Sequence, residues 1–221
     1  MIGLGLVHAA CAVIMLIFAI GIYNQKPDIQ KYESALAGLP ILLQSGLSIF
    51  LIIILAGNLQ LVTGLLAFPS WLIDAFGLII HEGGHFFTSW AGELIHFFGG
   101  TLFEIGVPAG LTLWFLCRNC KRLGALTLGW MSVALFSVAS YSGDAQKLEL
   151  SLLGSPSMEQ KLMGHDWYNI LRILDLLEAT PIISDTFWSM AMVAGLSAIA
   201  VSVWAIYGDH RAKAVFDQKL S

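Results

Sequence analysis

An all-α integral membrane protein of about six transmembrane helices is the fold this sequence predicts, and three observations predict it. First, 57% of its 221 residues are hydrophobic and only 12% are charged, where a soluble domain is about a quarter charged. So little charge could not cover a water-facing surface. Second, the mean hydropathy is +0.77, and the apolar residues fall in runs that approach the roughly 20 residues a spanning helix needs. Third, the polar residues collect in short connections and one long segment, 142–186. Together these exclude a soluble enzyme and a disordered chain. With 11 Lys+Arg in all, nucleic-acid binding is excluded too, because phosphate contacts need clustered cations. The lipid bilayer is the first partner implied, and the chain reads as a single polytopic domain over 1–221.

The first span covers 2–23. It has no basic n-region and no small-residue cleavage site, so it reads as a retained span rather than a signal peptide; His8 inside it reads as packing. Asn24 to Pro40 is a polar loop. The second span covers 41–68, with a kink expected at Ala56-Gly57-Asn58, and Pro69-Ser70 is read as a turn. The third span is 71–90 and the fourth 101–116, where Gly106 and Gly110 are expected to let helices approach closely. A basic loop, 118–122, precedes the fifth span, 123–141. The segment 142–186 contains an amphipathic helix: Trp167, Ile170, Leu171, Leu174 and Leu177 share one face, with Asn169, Arg172 and Glu178 away from it. That pattern predicts a helix lying in the membrane interface. The sixth span is 187–207, and the tail carries Arg211, Lys213 and Lys219. Trp71, Trp90, Trp114, Trp188 and Trp204 sit near span ends, as an aromatic belt does. Cys117 and Cys120 fall short of the four ligands of structural zinc and read as small interfacial thiols.

Basic residues set orientation. The loop 118–122 and the tail each hold three, so both are expected in the cytoplasm, with the N-terminus. The acidic segment 142–186, with Asp144, Glu149, Glu159, Asp166, Asp175, Glu178 and Asp185, is then outside.

Chemistry concentrates in the third span, which contains His81-Glu82-Gly83-Gly84-His85. Helical residues four apart differ by about 40° and about 6 Å of rise, so both imidazoles lie on one face and suit one zinc ion. Glu82 stands beside them, where it can take a proton from a metal-bound water. A random match to His-Glu-x-x-His is expected roughly once in 200 such chains. Membrane cost adds weight. Each ionisable group in a span costs about 2.5–3.5 kcal/mol, and this one holds Asp74, His81, Glu82 and His85. Gly83 and Gly84 cost roughly another 1 kcal/mol each relative to Ala. They also leave bare backbone beside the metal, where a substrate or a neighbouring helix can approach. Haem does not fit, because two histidines one turn apart on one helix cannot clamp a ring from both faces.

A catalytic zinc takes a third protein ligand from elsewhere. Gly164-His165-Asp166-Trp167, at the start of the amphipathic helix, offers Asp166 or His165. Either the helix start delivers one of them to the metal, or Asp166 is simply the helix N-cap. Glu104, in the fourth span, is a further candidate as a ligand or beside one. Asp144, after Gly143, is a helix cap or a group that supports a ligand from behind. Glu93 and His96 are placed in the turn between the third and fourth spans.

An intramembrane His-Glu-x-x-His with a downstream acidic ligand resembles the site-2 protease family of intramembrane zinc metalloproteases. The resemblance covers about a quarter of the chain. It implies His81 and His85 as zinc ligands, Glu82 as the catalytic base and Asp166 as the third ligand. The chain departs from the family in having His165-Asp166-Trp167 where the family has Leu-Asp-Gly, and in having no room for a PDZ domain. The set His81–His85, Tyr141-Ser-Gly-Asp144 and Gly164–Trp167 also resembles small bacterial membrane proteins that combine the same three motifs. The expected function is a zinc-dependent peptidase of a bacterial inner (plasma) membrane, cleaving a membrane protein substrate. The alternatives are a zinc hydrolase acting on a lipid, and a membrane subunit that partners other proteins around a structural or vestigial metal site. The number of ligands separates the last from the first, because a structural site is closed by four.

Overall fold

The computed structural model describes residues 8–16, 29–150 and 157–220, with side chains described up to residue 211 of the last helix. Among the described residues every regular element is helical. The N-terminal helix α1 occupies 8–16. It is followed by α2 (Ile29–Ala37), α3 (Ile41–Asn58), α4 (Phe68–Thr88), α5 (Glu93–Cys117), α6 (Lys121–Gly143), α7 (Met158–Gly164), α8 (Asp166–Ile173) and α9 (Thr180–Leu220). Single 3-10 turns occur at Gly64–Leu66 and Leu177–Ala179. Four helical stretches are long and apolar enough to cross a membrane: Ile41–Asn58, Glu93–Cys117, Lys121–Gly143 and Leu177–Arg211. Helix α4 has the length, at 21 residues, but is not among the four. The expected first span, 2–23, lies largely outside the described residues.

Several boundaries differ from the sequence reading. The expected kink near Ala56-Gly57-Asn58 is a helix end. Gln60 (φ 56) and Gly64 (φ 61) take left-handed backbone, which no helix continues through. Pro69 lies in the first turn of α4 rather than in a turn before it, because a proline there gives up an N–H that has no helical partner anyway. Helix α5 starts two turns before the expected fourth span, at Glu93, and only 89–92 separate it from α4. Gly92, at φ 94, makes that tight turn possible. Glu93 and His96 are therefore helical. Lys121 and Arg122 open α6 instead of closing a loop. Gly106 and Gly110 have no atom near the position of a Cβ, so the small-residue approach expected there is absent.

Contacts cluster into two compact units. The first draws on α1, Leu72–Val107 and Ala134–Ala191. Its core gathers Val138, Ala145, Trp167, Ile170 and Leu171, with Leu94, Phe97, Phe98, Tyr141 and Phe187 packed against them. Helix α8 thus sits in a core. The predicted apolar face is buried at Trp167, Ile170 and Leu171, but Leu174 is exposed, because Asp175 turns left-handed (φ 56) and ends the helix. Asn169 is buried too. Its amide donates to the carbonyls of Leu162, Met163 and His165, which removes the cost of burying it.

The second unit draws on Pro27–Trp71, Pro108–Val133 and Met192–Ser221. Its core is built on Leu51, Ala125 and Ala198. Ser48 and Ser202 hydrogen-bond at 2.8 Å, and Thr112 donates to Thr127 at 2.9 Å. Arg122 is buried. Its guanidinium donates to Glu33 (3.3 Å), Gln44 (2.8 Å) and Asp209, and so joins α2, α3, α6 and α9.

Candidate metal centre

His81 and His85 lie one turn apart on α4, both buried. Glycines make room for them. A side chain at Gly100 on α5 would collide with the His81 ring, and one at Gly84 would collide with the backbone of Gly99. The bare patch expected at Gly83-Gly84 is filled by helices on both sides: Gly84 meets α5, and Gly83 meets Met15 and the backbone of Ala12 on α1.

The third member comes from Gly164-His165-Asp166-Trp167, in which each side chain has its own task. His165, not Asp166, is the N-cap of α8, its Nδ1 accepting from the Tyr168 N–H at 3.2 Å. Trp167 anchors the helix in the core against Phe98 and Phe187. Asp166, the first helical residue, turns its carboxylate to the histidines. Its Oδ2 lies 3.0 Å from His81 Nε2 and 3.1 Å from His85 Nε2. Tyr141 fixes it from α6: the hydroxyl accepts from the Asp166 N–H at 2.9 Å and donates to Oδ2 at 3.3 Å. His81, His85 and Asp166 form the one group among the described residues whose ligand atoms lie within 4.8 Å of one another.

Hydrogen bonds on the far side of each ring bear on its chemistry. His85 Nδ1 faces the carbonyl of His96 at 2.8 Å. A carbonyl only accepts, so Nδ1 carries the proton and Nε2 of the neutral ring presents a lone pair. His81 has a carboxylate oxygen at each ring nitrogen, Glu104 Oε2 at 2.8 Å from Nδ1 and Asp166 Oδ2 at 3.0 Å from Nε2, so the ring either donates from both or leaves Nε2 for a metal. With both rings neutral and protonated at Nδ1, two lone pairs meet a carboxylate oxygen, three acceptors turned toward one point. Buried, that arrangement is repulsive unless a cation sits among them, either extra protons on the rings or a metal ion. For zinc bonds of 2.0–2.1 Å, a tetrahedron has ligand atoms about 3.3 Å apart. The observed 3.0 and 3.1 Å are near that spacing and are equally N–H···O hydrogen-bond lengths, so the group could hold a small divalent metal or share ring protons. Burial alone would raise the Asp166 carboxyl, but its hydrogen bonds with His81 and His85 outweigh burial and hold it below the usual carboxylate range.

Glu82 is not in the group. It points to the α1 side, where His8 Nε2 lies 2.8 Å from its Oε2, both side chains largely buried. The His8 ring also lies 5.2 Å from that of His85 and 6.1 Å from that of His96. Reading His8 as packing overlooked this contact. The available signal was an ionisable residue in an apolar run, which calls for a polar partner.

Of the other candidates, Glu104 is buried and joins the centre through His81. His96 joins through reciprocal bonds, its Nδ1 donating to the His85 carbonyl at 3.1 Å. His165 is not in the ligand group. Its Nε2 faces Asp144 Oδ2 at 3.4 Å, ion-pair range without hydrogen-bond geometry. Burial lowers the His165 pKa against the pull of Asp144, which keeps a lone pair on Nδ1 for the cap. Asp144 accepts from the N–H groups of Glu149 and Leu150 and so folds the chain after α6. No protein-family model, curated protein or solved structure matches the chain.

Proposed function

We propose that this protein is a zinc-dependent intramembrane peptidase of the site-2 protease kind, with His81, His85 and Asp166 as ligands and Glu82 as general base. The observation that carries this reading is the convergence of His81 Nε2, His85 Nε2 and Asp166 Oδ2, with the glutamate of the same motif beside the group and outside it. Zinc held by those three atoms would act as a Lewis acid and make a water molecule acidic. The chain's own residues then have separate tasks. Glu104 and the His96 carbonyl keep both imidazoles in the ligating tautomer. Tyr141 holds Asp166. Glu82 takes a proton from water as it attacks a peptide carbonyl, and returns it to the leaving amine.

Three ligands support a catalytic site over a closed structural one, because the residue that could have made a fourth, His165, is engaged by Tyr168 and Asp144. A lipid amide could be hydrolysed by the same groups; a peptide bond in a membrane protein is the reading we adopt. The test is Glu82→Gln, which keeps volume and removes the base. Metal content and fold should persist, while shortening of a co-expressed single-span substrate should slow by about 10²–10⁴-fold. Cleavage at the wild-type rate rejects the mechanism.

The reading places six spans in a bacterial plasma membrane, with α4 and the segment containing α1 added to the four apolar helices. Both termini are cytoplasmic and 142–186 is outside. Single cysteines at Ser157 and Ser221, in a background without the native three, should label from opposite sides. Labelling from the same side overturns the orientation.

A further inference from the structure

We propose that His8 is a positioning residue for Glu82, which makes the N-terminal helix part of the catalytic apparatus; this rests on the peptidase reading above. The contact is built into the packing of α1 on α4. A side chain at Gly83 would run into Met15 and would come within 3.6 Å of the Ala12 nitrogen. The absent side chain therefore lets α1 lie directly on α4 and sets their register. His8 is one helical turn before Ala12, and Glu82 is next to Gly83. The register that seats Ala12 on Gly83 thus brings His8 Nε2 to 2.8 Å from Glu82 Oε2. A glutamate has three rotatable side-chain bonds. Left free beside three acceptor atoms that attract a cation, it can swing in as a fourth ligand and close the site. A charge-assisted bond from His8 engages Oε2 and keeps the carboxylate alongside the metal position without entering it. The His8 ring is itself held beside the rings of His85 and His96, so the direction of its Nε2 is defined.

The test uses the full-length protein loaded with Co(II) and titrated with acetohydroxamate, followed by the visible cobalt band. A hydroxamate chelates the metal and donates a hydrogen bond to a neighbouring carboxylate, so its affinity reports where that carboxylate stands. His8→Ala and Glu82→Gln should each weaken binding by about tenfold, the scale of one hydrogen bond to a charged group. The double variant should lose no more than either single one. His8→Gln, whose amide nitrogen reaches about where Nε2 does, should bind like wild type, while the shorter His8→Asn should behave like His8→Ala. The Gln and Asn pair decides the matter even if the Ala variant does not fold. Unchanged affinity in His8→Ala or His8→Asn overturns the proposal, as do additive losses in the double variant. Absence of a cobalt band in wild type overturns the metal reading, and this inference with it, which is a different result from a normal band with an insensitive His8.

Discussion

Each of the two units has a charged cluster around buried side chains, and the two clusters are put together in different ways. In the second unit the cation is the protein's own. The Arg122 guanidinium directs its N–H groups at Glu33, Gln44 and Asp209, so donors meet acceptors and the charge is matched by side chains. In the first unit His81 Nε2 and His85 Nε2 both face Asp166 Oδ2, while the far-side nitrogens face Glu104 and the His96 carbonyl. One cluster is a structural tie between helices, built on a cation of the chain itself. The other is a group that could hold a metal ion, the proposal made above. The first group is buried throughout, whereas Arg122 is buried among acids that are not, Glu33 at 14% and Asp209 at 37% side-chain exposure.

The largest effect that sharpens this comparison is on metal content. Purified protein should carry about one zinc per chain, falling to background in His81→Ala, His85→Ala or Asp166→Ala, while Arg122 and His165 variants keep it. His165→Ala should lose a helix cap, about 1 kcal/mol, and the packing of a fully buried ring against Tyr141, about 2–5 kcal/mol more. Equal zinc in wild type and the His81/His85 double variant would mean that these atoms hold no metal. Next in size, Arg122→Met leaves Glu33 without its cation. It should destabilise by about 3–5 kcal/mol in thermal unfolding, with metal binding unaltered. Adding Glu33→Gln and Asp209→Asn should recover much of that loss, since no unpaired charge remains. Little effect from Arg122→Met would mean that the second cluster is not the structural tie described. The smallest effect is at Glu104. Glu104→Gln keeps a group at His81 Nδ1 but loses the charge behind the ligand, so zinc affinity should fall by about 10–100-fold, measured by competition with a chelator.

Much of the site could be read from the chain. His81 and His85 were legible because a one-turn spacing on one face is a local property of a helix. Asp166 was legible as one of two neighbours, and Glu104 as a glutamate in an apolar run. The choice between Asp166 and His165 was not, because both stand at one helix start. Which of them caps and which turns inward depends on what α8 packs against. His8 is not legible in this way because its partner is 74 positions away, and no periodicity within α1 points to it. Arg122 was counted as an inner basic charge, yet it is buried by partners from three other helices. The second span ended early at the left-handed Gln60, and the amphipathic helix at the left-handed Asp175, where the apolar pattern alone would continue.

By itself the sequence determined the all-helical class, the apolar helices and the one helix that carries both imidazoles. These follow from composition and from a 3.6-residue period, which act over one or two turns. Tertiary structure decided the rest: Asp166 on His81 across 85 residues, Glu104 behind His81 across 23, and α1 docked on Gly83. The physical reason is that a contact between helices depends on how closely their backbones approach. Here that approach is set by the glycines at 83, 84, 99 and 100 and by the partners each surface meets.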